Sequence, residues 1–167
     1  MEALRIQETK DSPKVILDQQ GNHFEISGKS LPKDVLKFYQ PVLEWLNEYR
    51  NKPKPFTRIE FKLTYFNTAS SKLILDILMI LEEMKKEGNG VLVRWISPAS
   101  DEDMQEAGRE YQGLVDVTFE HDTYDTPWEK EILGARQGML MASKVFTDVP
   151  SVIDPFQYVK LISQTRL

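Results

Sequence analysis

The chain has 167 residues, a formal net charge of −5 at neutral pH and no cysteine. That length can bury a real core in one domain with an extension, and the acidic balance argues against nucleic acid or an anionic membrane as the main partner. Without thiols there is no disulfide, cysteine nucleophile or thiolate metal site, which fits a reducing cytoplasm.

The opening MEALRIQETKDSPK contains no apolar stretch that could serve as a signal peptide. Residues 13–28, PKVILDQQGNHFEISG, read as a β-hairpin: Val15 and Leu17 alternate with polar neighbours, Gly21-Asn22 supplies the turn, and Phe24 and Ile26 alternate on the return. SLPKDVLKFYQPVLEWLNEYRNK has helical spacing through Val35, Leu36, Tyr39, Val42, Leu43 and Leu46, with Pro41 expected to kink or split the helix or to open its second half. KPKP at 52–55 ends it as a linker.

TRIEFKLTYF is the clearest strand, with Ile59, Phe61, Leu63 and Tyr65 on one face and Arg58, Glu60, Lys62 and Thr64 on the other. A very apolar helix follows from about Ala69 to Lys86, and Gly88-Asn89-Gly90 stops it. Its longest apolar run, Leu73 to Leu81, is interrupted by Asp76 and is far below the ~20 residues of a membrane span. VLVRWI is a short strand broken by Ser97-Pro98, SDEDMQEAGREYQGL a helix with acids in its first turn, and VDVTFE a last strand. Strands alternating with helices over 57–120, plus the hairpin, predict an α/β fold with a mixed sheet.

Residues 122–167 differ in character. Thr126-Pro127-Trp128-Glu129 is a helix start, and the helix would carry Ile132, Leu133, Met139, Leu140 and Met141. Beyond it, Pro150 and Pro155 divide a tail with Phe156, Tyr158 and Leu161, too apolar to stay solvated, so it should dock on its own domain or on a partner. The expected division is one folded α/β domain at 1–121 and a docked helical extension at 122–167.

Few residues suggest catalysis. His23 and His121 have no metal-ligand spacing and read as turn or strand-end residues. KEGNGV is too short for a phosphate-binding loop, and Gly134–Gly138 has the GxxxG spacing without an apolar 20-mer around it. SDEDMQE reads as the solvated first turn of a helix rather than a carboxylate metal site. No cofactor or metal is expected.

Two features of the long helix stand out. Asp76 is the one charge between Lys72 and Glu82, so its carboxylate must reach solvent or a partner group. It marks either a solvated stripe with Lys72, Glu83 and Lys86 or part of a docking face. At the helix start, Asn67-Thr68-Ala69-Ser70-Ser71 puts three hydroxyls in four residues. A side-chain oxygen of Asn67 or Thr68 can cap the helix, a contribution of ~1 kcal/mol for which one residue suffices. Free backbone N–H groups and the helix dipole also suit an added phosphate there.

LTYFNTASSKLILDILMILEEM, with ISGKSLPKDVLKFYQPVLEWLNEY before it and VLVRWI after it, resembles the SiaC family of small bacterial regulatory phosphoproteins. The likeness runs through most of residues 10–120 and is most specific at Asn67-Thr68-x-Ser70-Ser71, Lys72, Asp76 and Leu81-Glu82-Glu83. It implies a STAS-like fold, similar to anti-sigma-factor antagonists, and a signalling role without catalysis. It also implies a Ser/Thr kinase, an opposing PPM-type phosphatase and, for the unphosphorylated form, a diguanylate cyclase partner acting in cyclic di-GMP and biofilm control. Carried over by motif, the resemblance implies Thr68 as the phosphoacceptor, Asn67, Ser70 and Ser71 as its neighbours with the two serines shaping the loop, and Lys72 and Asp76 as candidates for the docking face. The competing reading is a constitutive binding or scaffold module acting through 122–167, with Thr68 only part of a helix cap. A small hydrolase is the third, for which no acid–base pair stands out.

Overall fold

The computed structural model describes residues 1–127. Of the helix expected to start at Thr126-Pro127 and the tail after it, everything from Trp128 onward lies outside the described residues. Six strands and three helices follow one another as β1 (Leu4–Ile6), β2 (Lys14–Asp18), β3 (His23–Ser30), α1 (Val35–Arg50), β4 (Phe56–Phe66), α2 (Thr68–Lys86), β5 (Gly90–Pro98), α3 (Glu102–Leu114) and β6 (Thr118–Tyr124). They form one mixed α/β unit.

The strands make a single sheet in the order β1-β2-β3-β4-β5-β6. β1 to β3 pair antiparallel, and β3 to β6 pair parallel. The hairpin turn uses Asn22 at φ 52°, a left-handed conformation that asparagine tolerates better than most residues. Strand β1 was not foreseen: three residues are too short to show a period, and Leu4 and Ile6 are only partly buried against the core.

Parallel neighbours joined in sequence by right-handed crossovers put their helices on one side of the sheet. That side carries Val15, Leu17, Phe24, Ile26, Ile59, Phe61, Leu63, Val93 and Trp95, all buried. The other side is polar and laced with ion pairs: Lys14–Glu25 at 2.8 Å, and Arg94 bridging Glu60 and Asp122. Alternation along each strand therefore sorted apolar from charged residues as a half-solvated sheet requires.

Two expectations change. Helix α1 runs unbroken through Pro41 to Arg50. A proline inside a helix costs about 3 kcal/mol, but Tyr39, Val42, Trp45, Leu46 and Tyr49 are buried along this one, and that packing outweighs the lost hydrogen bond. The second change is at the end of β4. Gly28 pairs with Leu63 but Lys29 pairs with Tyr65, so Thr64 is an extra residue on β4. Such a bulge resets the two-residue period. Phe66 takes the inward place expected of Tyr65, which is only half-buried.

Candidate phosphoacceptor site

Strands β3, β4, β5 and β6 run the same way, so their C-terminal ends share one edge of the sheet. Open α/β sheets commonly place their functional residues at that edge. Here β4 ends at Phe66 and α2 begins at Thr68, with Asn67 as the N-cap in extended backbone. Asn67 Oδ1 accepts the Ser70 N–H at 2.8 Å, satisfying one of the amide groups that a helix start leaves without a partner.

The hydroxyl cluster separates into one accessible residue and two buried ones. Ser70 and Ser71 are 0% and 1% exposed, whereas Thr68 is half-buried and Ala69 exposed. Ser70 Oγ donates to the Ser30 carbonyl at 3.1 Å and accepts from Ser30 Oγ at 2.9 Å. The Tyr39 hydroxyl lies 2.6 Å from Ser30 Oγ. With Ser30 donating onward, Tyr39 donates into the chain. Burial pushes the Tyr39 phenol up to about 12, against the opposing Ser30 hydrogen bond, so it remains a donor at any physiological pH.

Ser71 turns the other way along the helix. Its Oγ donates to the Thr68 carbonyl at 2.6 Å, and its own carbonyl accepts from the Tyr111 hydroxyl of α3 at 2.9 Å. The Asn67 N–H adds a backbone bond to the Ser30 carbonyl at 3.2 Å. The first turn of α2 is thus held to β3, α1 and α3 together.

Ser30, Tyr39 and Tyr111 were not singled out from the sequence. Tyr39 looked like one more apolar position of α1, and the one available signal for Ser30 was a small hydroxyl ending an otherwise buried strand.

Lys72 is exposed and Asp76 half-buried on the accessible side of α2, one and two turns beyond Thr68. Met79, 38% exposed, continues this stripe toward Glu83 and Lys86. Burial raises the Asp76 carboxyl above its ordinary range, and the Lys72 charge opposes that rise without cancelling it. The remaining face of α2 is apolar and packed.

The other sequence candidates lie elsewhere. His23 opens β3 and sits 2.9 Å from Glu25; His121 lies on β6 with its Nε2 2.8 Å from Gln112. In SDEDMQE, Asp101 caps α3 by accepting the Met104 N–H at 2.9 Å, with Glu102 and Asp103 in the first turn. Among the described residues no three His, Asp or Glu side chains gather where they could hold a metal ion, and no helix is long and apolar enough to cross a membrane.

Comparison with known proteins decides the lineage of this arrangement. The family described as SiaC family regulatory phosphoprotein matches residues 6–124. The chain belongs to the SiaC family. A protein of Pseudomonas aeruginosa (strain UCBPP-PA14) is 26% identical over 125 residues, 75% of this chain and 99% of that protein. The crystal structure of apo-SiaC from Pseudomonas aeruginosa superposes with a TM-score of 0.67 at 25% identity, over 73% of this chain and 99% of that one. A chain in the crystal structure of the diguanylate cyclase SiaD in complex with its activator SiaC, from the same organism, gives 0.69 at 26% identity, covering 72% of this chain and 99% of its own length. As a SiaC family member the chain is a regulatory phosphoprotein, and its six-stranded mixed sheet with three helices matches the fold of those structures.

Proposed function

We propose that the protein is a non-enzymatic switch of a cytoplasmic signalling module, with Thr68 as its phosphoacceptor. A Ser/Thr kinase transfers the γ-phosphoryl group of ATP to Thr68 Oγ, releasing ADP and the hydroxyl proton. A PPM-type phosphatase then hydrolyses the phosphoester to restore the hydroxyl and release inorganic phosphate. The unphosphorylated form binds and regulates a partner, for which a diguanylate cyclase is the first choice. The SiaC-like match, whose relative appears in complex with a cyclase as its activator, supports that choice.

The observation that carries the site is the contrast within the hydroxyl cluster. Ser70 and Ser71 are buried and bonded inward, while Thr68 heads the helix beside exposed Ala69 and Lys72. A kinase acting on the folded chain meets Thr68. A phosphate there sits at the positive end of α2, so the helix tolerates it while a partner meets new bulk and about −1.5 to −2 charges. Residues 1–121 carry this switch in the proposal, and the extension from 122 onward begins with Asp122 to Tyr124, which complete β6.

The site is tested by incubating the full chain and Thr68→Ala with the cognate kinase and ATP, then mapping phosphate by mass spectrometry. Stoichiometric phosphate on Thr68, lost in Thr68→Ala, is expected. Equal incorporation into both proteins would move the site elsewhere. Thr68→Glu should reproduce the modified state only in part, because one carboxylate carries less charge and fewer acceptor oxygens than a phosphate.

A further inference from the structure

Thr68, Lys72 and Asp76 stand four residues apart in succession on α2, so each lies about 6 Å further along the axis than the one before, on neighbouring parts of one face. Lys72 is exposed and takes part in no ion pair among the described residues, in contrast to Lys85 and Lys86 on the same helix, which pair with Asp116, Glu82 and Glu83. Its charge acts on Asp76, a half-buried carboxyl without a salt bridge of its own among the described residues. The cation is thus placed between a carboxylate one turn after it and the position of a phosphate one turn before it.

Resting on Thr68 as the phosphoacceptor, we propose that Lys72 is the receiving cation for the Thr68 phosphate, and that phosphorylation draws Lys72 away from Asp76. A phosphate has nearly twice the charge of a carboxylate and three acceptor oxygens, so it wins a competition for one lysine at equal helical spacing. The lysine swings toward the helix start, and Asp76 loses the charge that favours its ionised form. The face that a partner reads therefore changes at three positions, Thr68, Lys72 and Asp76, although only one is modified. This handover reaches two turns along α2, where the direct field of the phosphate is weakened by water and salt.

The test uses the full chain with phosphothreonine installed at position 68 by genetic-code expansion, which needs no kinase. A 31P NMR pH titration reads the second ionisation of the phosphate, and carboxyl-carbon NMR reads Asp76. Lys72 within ~5 Å should hold the phosphate ionisation about 0.5 pH unit lower in the parent than in Lys72→Gln. Lys72→Arg should restore most of that difference. Installing the phosphate should raise the Asp76 ionisation in the parent and leave it unmoved in Lys72→Gln. Equal phosphate ionisation in the parent and Lys72→Gln would overturn the handover, whatever the kinase modifies. Kinase-dependent phosphate mapped to a residue other than Thr68 would instead overturn the choice of site, even with the handover intact in the installed phosphoprotein.

Discussion

The hydroxyl of Ser70 donates to the backbone carbonyl of Ser30 at 3.1 Å, joining the first turn of α2 to the last residue of β3 across 40 positions of sequence. Together with Tyr39 it forms a run of three fully buried hydroxyls in which each has a partner. Satisfied networks of this kind fix a unique geometry, and they are costly to leave half-made.

Ser70→Ala removes the acceptor of Ser30 and one donor to its carbonyl, and should cost about 1–3 kcal/mol in denaturant unfolding. Tyr39→Phe should cost less after Ser70→Ala than before it, because the chain is then already broken. Strictly additive losses would show that the three hydroxyls do not act as a unit.

Asn67→Ala removes the side-chain oxygen that accepts the Ser70 N–H, and should lower stability by about 1 kcal/mol. Asn67→Asp keeps an acceptor and adds a negative charge at the helix N-terminus, so its stability should stay near that of the parent. Equal losses for the two variants, read from urea midpoints, would contradict the capping role.

Gly108 lies so close to Trp95 that a Cβ would come within 2.5 Å of the indole. Trp95 cannot easily yield, since it is 1% exposed and its Nε1–H donates to the Met104 carbonyl at 2.9 Å. Gly108→Ala should therefore lower stability by about 1–3 kcal/mol and shift the tryptophan emission. An unchanged unfolding midpoint would mean that α3 can withdraw from β5 without loss.

Glu25 supplies a pH dependence. Burial alone would raise its carboxyl, but hydrogen bonds from Lys14, Ser27 and His23 outweigh burial and bring it from the ordinary 4.5 down to about 2. The folded chain then releases this proton more readily than the unfolded chain does. The resulting stability is complete above about pH 4.5 and is lost as pH falls through about 2. The stability difference between the parent and Glu25→Gln should shrink across that window, and a difference independent of pH from 5 to about 2 would contradict the assignment.

Much of the fold could be read from the sequence because its elements obey strong periods. Val15 and Leu17, Phe24 and Ile26, and Ile59 to Leu63 alternate, and Leu73 to Met84 leaves one polar stripe on α2. What escaped depended on tertiary context. Pro41 looks like a breaker until the aromatic packing of α1 is known, and the bulge at Thr64 leaves no mark in a strand with perfect alternation up to it. β1 is too short to carry a pattern.

The start of α2 divides in the same way. A cap at Asn67 or Thr68 follows from residue type and position, the cap is Asn67 in the structure, and the choice of Thr68 as phosphoacceptor rests on likeness to a family. That Ser70 and Ser71 face inward could not be read locally, because their partners Ser30 and Tyr111 are each 40 residues away.

The proposal that phosphate on Thr68 controls partner binding is tested most directly by the affinity of the full chain for a diguanylate cyclase from its own source, the proposed partner. Titration calorimetry would compare the unmodified protein with protein carrying phosphothreonine at position 68. The account predicts tight binding by the unmodified form and at least a tenfold weaker Kd, about 1.4 kcal/mol, for the phosphorylated one. Equal affinities, with binding lost instead when residues 128–167 are removed, would contradict it and favour a constitutive module acting through the extension.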